Sequence, residues 1–389
     1  MKLKDIRVKL FKLSAGACSI TIPSSYSHQV AVYPLHGSHL LSTTTIIHPF
    51  IMPPNIAAWT NKPGDDLEIR EAPYIRPESN EIVVKTHAWA INPVDVAVAS
   101  RALFPWVSYP ATLGVDIAGD VVEVGSAVTQ LKTGDRVLAM ASGLLPPANK
   151  NSHGGFQDYV IIDPRLAVPL PDSMPYAEAS VFPVCLGTAA CALFQKDTLG
   201  LQHPSSTPKL TGRTVLIWGG SSAVGCNAIQ LAVAAGYDVI ATASPSNFGY
   251  LKTLGAGNVF DYKSDTIIDD IVSAVNGTQF AGIFQAAGSI EACLEVADKA
   301  RGSIFVATSL PLPEKKPDGV QAKMVWGDSL KDDEVGPAIL GGFLPKALAK
   351  GSYRVAPEPL IVGKGLQGLQ EAFEVLKKGV SARKVVVTR

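Results

Sequence analysis

This sequence has little charge and no net charge. Charged residues make up 17% of its 389, and Lys+Arg and Asp+Glu both number 34, so no net charge is left to attract a nucleic acid. No stretch of about 18 uninterrupted apolar residues occurs, so no membrane span is expected. Five cysteines, Cys18, Cys185, Cys191, Cys226 and Cys293, are odd in number and scattered. They fit neither a disulfide framework nor a CxxC zinc site. Unpaired thiols suit a reducing compartment, and a cytoplasmic location is expected. The 47% hydrophobic content excludes a disordered chain and supplies cores for two domains at roughly 100–200 residues each.

The charge that exists is unevenly placed. Lys2, Lys4, Arg7, Lys9 and Lys12 face a single acid, Asp5, and from Leu13 to Ile51 there is no Asp, Glu, Lys or Arg. Ser and Thr are frequent in that stretch, which also holds His28, His36, His39 and His48. A basic, Ser-rich, acid-poor beginning has the pattern of a mitochondrial targeting segment. Scarce arginine and little amphipathic character weigh instead toward a disordered leader over 1–51, or a start set too far upstream, with Met52 opening the ordered chain. The four histidines lack helical spacing and are assigned no metal.

From Met52 the pattern becomes regular. Residues 81–89 alternate as a strand does, and 112–125, 131–140 and 154–162 are further Gly-punctuated β segments. They predict a β-rich, barrel-like domain to about residue 180. Residues 177–194 are helical in pattern with a break at Pro183, and 197–213 form a polar, Pro-containing loop. Strands at 214–218, 238–242, 258–261, 281–286 and 302–308 then alternate with helices at 222–236, 247–254, 265–275 and 290–300. That order predicts an α/β fold with a parallel, doubly wound sheet. A helix at 366–378 and a strand at 384–388 close the chain. The expected domains are 52–180, completed by 340–389, and 181–339 between them.

The strongest chemical signal is TVLIWGGSSAVGCNAIQLAVAAG at 214–236: a strand, a glycine-rich turn, then a helix with small residues on its packing side. Gly220, Ser222 and Gly225 fill the three small-residue positions of a dinucleotide-binding turn. Gly220 is expected to permit the turn, Ser222 to let backbone N–H groups approach a diphosphate, and Gly225 to let helix and strand lie close. The helix N-terminus adds unpaired donors and positive potential. An acid at the end of the next strand would hold the ribose hydroxyls of NAD. Between Val239 and Phe260 there is none. Ser244, Ser246 and Asn247 stand there instead, and their donors suit a 2′-phosphate, so NADP is the expected cofactor. The same residues also serve as a helix start.

Other stretches bear a family likeness. Gly114-Val115-Asp116-Ile117-Ala118-Gly119, with Gly125 beyond, resembles the zinc alcohol dehydrogenase signature GHExxGxxxxxG, with Val115 in place of the zinc-binding His and Asp116 in place of Glu. GDRV at 134–137 and GGFQDY at 154–159 also resemble the medium-chain dehydrogenase/reductase superfamily. INPVD at 91–95, TASPSNF at 242–248, VFDY at 259–262 and KKGVSARKVVV at 377–387 are most similar to its zinc-free fungal branch. That branch comprises trans-acting enoyl reductases of polyketide pathways and their CipB-like and ToxD-like relatives. The resemblance spans about 52–389. It implies a GroES-like catalytic domain beside a Rossmann NADP-binding domain.

It also implies site residues. Asn92, Pro93, Val94 and Asp95 would lie near the cofactor. Ser221, Ser222, Ala223 and Val224 would cradle the diphosphate. Ser244, Pro245, Ser246 and Asn247 would hold the 2′-phosphate, although relatives often carry Lys where Ser246 stands. Tyr262 would contact the adenosine end, and Val380 and Ser381 would return to the nicotinamide side. Leu186, Gly187, Thr188, Ala189, Ala190, Cys191, Ala192 and Leu193 would line the substrate pocket, with plain helix packing as the other reading.

A catalytic zinc of the superfamily needs a thiolate where Asn92 stands, an imidazole where Val115 stands and another thiolate near Val184. Asn, Val and Val do not supply a tetrahedral N/S set, and Cys185 alone does not rebuild one, so no metal is expected. Without a Lewis acid a conjugated C=C is the natural target. Hydride addition to its β-carbon sends charge to the carbonyl oxygen, where hydrogen-bond donors stabilise it. No single proton donor stands out; Tyr159, Tyr262 and Lys85 are the nominees. The expected function is NADPH-dependent reduction of a small-molecule or carrier-bound enoyl intermediate, with a polyketide synthase as a possible partner. Quinone or general enone reduction, and a catalytically idle nucleotide-binding protein, are the rival readings. Monomer and homodimer are left open.

Overall fold

The computed structural model describes residues 52–146 and 150–389, so the expectations for 1–51 lie outside the described residues. The described chain opens with β1 (Asn55–Thr60), β2 (Glu68–Ala72) and β3 (Ile82–Ala90), followed by α1 (Pro93–Arg101). Then come β4 (Ala111–Thr112), β5 (Asp116–Val124), β6 (Arg136–Met140), β7 (Tyr159–Ile162) and β8 (Ala167–Pro169). Two helices follow, α2 (Tyr176–Ala179) and α3 (Pro183–Phe194).

The alternating region runs β9 (Arg213–Trp218), α4 (Ala223–Ala234), β10 (Asp238–Ala243), α5 (Phe248–Thr253), β11 (Asn258–Asp261) and α6 (Ile267–Asn276). It continues with β12 (Gln279–Gln285), α7 (Ile290–Lys299), β13 (Phe305–Thr308) and β14 (Gln321–Met324). A π-helical turn, Pro337–Phe343, leads into α8 (Leu344–Ala349), then β15 (Glu358–Lys364), α9 (Leu369–Lys378) and β16 (Arg383–Thr388).

Three sheets result. β2-β1-β4 is a small antiparallel sheet. β15-β16-β3-β5-β6-β8, with β7 also on β3, is a mixed sheet in which the closing strand β16 pairs antiparallel with β3, Val387 opposite Trp89. The third sheet is parallel throughout, in the order β11-β10-β9-β12-β13-β14. Numbered from β9, that is the 3-2-1-4-5-6 order of a doubly wound Rossmann fold. Amphipathic helices cover it: α6 buries Ile267, Ile271 and Val275, a stripe at four-residue spacing.

Some elements were hidden by their own pattern. Val94, Val96 and Val98 recur with period two, as in a strand, yet 93–101 is α1. Pro93 fixes a helical φ at the first position, and Asp95 Oδ2 accepts from the Asn92 N–H at 2.9 Å, half of a capping box. Conversely, only 159–162 of the expected strand 154–162 is regular. Residues 154–156 instead pack against 111–114, where a Cβ on Gly154 would lie 2.0 Å from the Thr112 carbonyl oxygen and the Gly155 and Phe156 N–H groups donate to the Gly114 and Leu113 carbonyls. Tyr176–Phe194, α2 and α3 together, is by length and composition apolar enough to cross a membrane, and most of its residues are buried within the fold.

Candidate active site

The glycine-rich turn joins β9 to α4 at the carboxyl edge of the parallel sheet. The left-handed residue is Gly219, at φ +78°, one position before the glycine to which the sequence reading gave the turn. Gly220 is closely packed for a different reason: a Cβ there would meet Leu251 Cδ2 at 2.7 Å and Ala241 Cβ at 3.0 Å. At Gly225 a Cβ would fall 2.3 Å from the Gly219 carbonyl oxygen, so the helix can start this close to the turn only with glycine. Ser222 is the N-cap. Its Oγ accepts from the Gly225 N–H at 3.0 Å and donates to the Gly219 carbonyl at 2.8 Å. The next N–H groups, of Ala223 and Val224, have no intrahelical acceptor and form the donor ring an anion needs. These residues fit a dinucleotide diphosphate.

The segment after β10 converges with two others. Ser244 Oγ donates to the Tyr262 hydroxyl at 3.4 Å, and Asn247 Nδ2 donates to Ser381 Oγ at 3.2 Å. The nominated residues at 244–247, 262 and 381 are thus one neighbourhood drawn from three parts of the chain. The structure adds a base that the sequence reading did not single out. The Lys263 ammonium stands 5.8 Å from the Tyr262 ring centroid, next to the Ser244 hydroxyl's partner.

The Asn92–Asp95 segment holds a buried polar cluster. Asn92, Asp95, Asp116, Cys185 and Lys384 are all at most 4% exposed. Asn92 Nδ2 donates to Asp116 Oδ2 at 2.9 Å, and Lys384 Nζ donates to that same oxygen at 3.0 Å and to Asn92 Oδ1. The other Asp116 oxygen, Oδ1, accepts from the Val184 N–H at 2.7 Å. One carboxylate on β5 therefore ties together β16, the start of α1 and the start of α3. Cys185 Sγ is 3.3 Å from Lys384 Nζ.

Burial works against the Lys384 charge, but the pull of Cys185 and Asp116 outweighs it and holds the ammonium above the ordinary lysine range. Burial pushes the Cys185 thiol up to about 11, so at neutral pH Asp116 is the partner of the ammonium. Burial also pushes Asp95 up to about 7, against the Asn92 N–H that favours its ionised form.

The remaining nominees are dispersed. Lys85 and Tyr159 face each other across β3 and β7, and Tyr159 packs edge-on against Tyr74 at 5.2 Å. Tyr262 belongs to the Ser244 neighbourhood. The three proton-donor nominees are not brought together. On α3, Leu186, Ala189, Ala190, Cys191, Ala192 and Leu193 are essentially inaccessible, and Thr188, at 9%, is the most open residue of the segment given to substrate. Helix packing accounts for most of that segment. Val380 lies half-buried in the turn after α9, one residue before Ser381.

Residues 78–172 match the Alcohol dehydrogenase GroES-like domain, and residues 223–329 match the Zinc-binding dehydrogenase family. The dehydrogenase azaJ of Aspergillus niger is 48% identical, over 87% of this chain and 99% of its own. The trans-enoyl reductase himH of Aspergillus japonicus is 38% identical, over 86% of this chain and 97% of its own. Among solved structures, an alcohol dehydrogenase superfamily protein from Novosphingobium aromaticivorans superposes with a TM-score of 0.70 at 25% identity, covering 86% of this chain and 99% of its own.

A zinc ion is implied by the second of those family descriptions, and the residues present do not fit one. Asn92 and Val115 offer no thiolate or imidazole. The only sulfur of the cluster is a protonated thiol beside a buried ammonium, which repels a divalent cation. Among the described residues no three His, Cys, Asp or Glu side chains are grouped to hold a metal.

Proposed function

The chain belongs to the medium-chain dehydrogenase/reductase family, in the branch that includes fungal dehydrogenases and trans-enoyl reductases, and from that premise we propose that this oxidoreductase uses NADPH to reduce a C=C bond conjugated to a carbonyl. The substrate is an enoyl intermediate of secondary metabolism, carried by a polyketide synthase.

One observation carries the reading. The Lys384 ammonium is locked between Asn92, Asp116 and Cys185, at the place where the zinc dehydrogenase signature would put metal ligands. An isolated ketone or alcohol is hard to activate in such a site, whereas an enone needs donors only at its carbonyl oxygen. The bound nicotinamide supplies the hydride. The chain's own residues bind the diphosphate on the α4 N-terminus and meet the 2′-phosphate with Ser244, Asn247, Tyr262 and Lys263. No carboxylate in 239–260 opposes that phosphate. The himH likeness supports an enoyl substrate.

The test is NADPH oxidation by the purified full chain against enoyl thioesters, simple enones and quinones. Turnover highest on the enoyl thioesters supports the reading. Preference for quinones would reassign the enzyme, and no turnover on any acceptor would leave a nucleotide-binding protein without this chemistry.

A further inference from the structure

Three aromatic side chains stand at the carboxyl edge of the parallel sheet without a role so far. Phe104 and Trp106, in the loop after α1, stack at 4.8 Å with 11° between their planes. Trp326, two residues beyond the end of β14, tilts against Phe104 at 5.8 Å and 47°. The cluster thus joins the loop after α1 to the far edge of the Rossmann sheet. Both indoles are 39% exposed, and neighbouring Leu103 is 46% exposed.

Each member is held in place. Trp106 Nε1 donates to the Leu144 carbonyl at 3.0 Å. The Trp326 carbonyl accepts from Ser329 Oγ at 2.8 Å, and that hydroxyl in turn accepts from Gln195 Nε2 at 3.0 Å, just past the end of α3. The next residue, Gly327, touches α3 so closely that a Cβ on it would lie 2.6 Å from Thr188 Oγ1. The aromatic wall is therefore anchored directly on α3 beside Thr188.

Position decides what the wall faces. Ligands of open α/β sheets bind beyond the carboxyl ends of the strands. β9 carries the diphosphate turn at that edge, and β14 lies three strands away, about 14 Å at ~4.8 Å per strand. The wall stands on the same edge as the dinucleotide site and beyond it. Flat, rigid indole and phenyl faces bind apolar chains with little loss of side-chain freedom.

We propose that Phe104, Trp106 and Trp326 form an apolar subsite that grips the acyl chain of the substrate beyond its reacting enone and selects for long over short chains. The proposal rests on the enoyl-reductase reading above and names a specificity determinant for it.

Trp326→Ala and Trp106→Ala in the full chain test it. With NADPH and a ladder of 2-enoyl N-acetylcysteamine thioesters, each variant should lose about tenfold in kcat/KM on the ten-carbon member, mostly through KM, and keep its rate on the four-carbon member. Equal losses on both lengths, or none on either, overturn the subsite. Indole fluorescence gives a readout without turnover. A saturated ten-carbon acyl thioester should quench wild-type emission and bind Trp326→Ala about tenfold more weakly. Absence of saturable quenching in the wild type also overturns the subsite. If the wild type reduces no enoyl thioester yet shows the quenching, the reductase reading fails while the acyl-chain site stands.

Discussion

Lys384 Nζ lies 3.0 Å from Asp116 Oδ2, with the two side chains only 5% and 0% exposed. A buried ion pair is weak support for stability as such, but removing one partner strands the other charge. Lys384→Met should cost about 3–5 kcal/mol in urea unfolding for that reason. Asp116→Asn together with Lys384→Met should cost less than the sum of the single changes, because no unpaired charge is left. A strictly additive pair of losses would show that the two groups are not coupled.

Asp95 gives the fold a pH dependence of known sign. Among the described residues its Oδ1 has no hydrogen-bond partner, and burial raises its pKa from 3.8 to about 7. The charged groups that face it are Asp116, which adds to the rise, and Lys384, which opposes it. A carboxyl raised in the folded state binds its proton more tightly there than in the unfolded chain. Its contribution is full below the unfolded pKa and is lost as pH rises through about 7. Asp95→Asn keeps an acceptor for the Asn92 N–H and does not titrate. From pH 4 to pH 8 the stability difference should move in favour of the variant by on the order of 4 kcal/mol, about 1.36 per unit. Parallel urea midpoints for the two proteins across that range would refute the raised value.

Much of the Rossmann half was legible because its signals are local. Each strand from 214 to 308 is a short apolar run, each helix has its own stripe, and the turn between β9 and α4 reads in one glance along the chain. The front half was less so. β1 and β2 are fixed by pairings with each other and, for β1, with β4 and the Gln157 region about 100 residues on, and α1 carries a two-residue valine period that imitates a strand. The buried cluster was half visible. Asn92, Val115 and Cys185 stand at positions where the family signature points to metal ligands, but Lys384 lies in the closing phrase with no motif of its own. Its signal was a lone lysine ahead of Val385, Val386 and Val387 in a strand, where a buried charge requires a partner. That partner, Asp116, is 268 residues away, and sequence spacing does not reveal it. Lys263 lies just outside the 239–260 stretch that bears on cofactor choice in the sequence, and only the ring it faces brings it back to Ser244.

Cofactor choice should rest on that neighbourhood. Lys263→Ala removes the cation beside the Ser244–Tyr262 pair, and a charged hydrogen bond contributes about 1.5–3 kcal/mol. NADPH affinity by titration calorimetry should fall at least about tenfold, with NADH changed by less than about twofold. Ser244→Ala should act in the same direction and less strongly. Gly225→Ala should weaken both cofactors alike, since its Cβ would strike the Gly219 carbonyl oxygen within the turn itself. Equal affinity of the unmodified protein for NADPH and NADH would remove the basis for the NADP assignment.

The metal question separates the enzyme readings most sharply. Purified protein should carry no stoichiometric zinc, and strong chelators should leave its reductase activity unchanged. The argument is electrostatic as well as compositional. Even where Cys185 supplies a sulfur, it is a thiol pushed up to about 11, and its deprotonation would have to occur against burial and the Asp116 charge. The Lys384 ammonium 3.3 Å from that sulfur already occupies the position of the counter-charge, so a dication entering the cluster would have to expel a lysine bonded to three side chains. Asn92 and Val115 offer nothing to offset that cost. Inductively coupled plasma measurement of one zinc per chain, lost together with activity on chelation, would defeat this prediction and with it the enone reading that depends on a metal-free site.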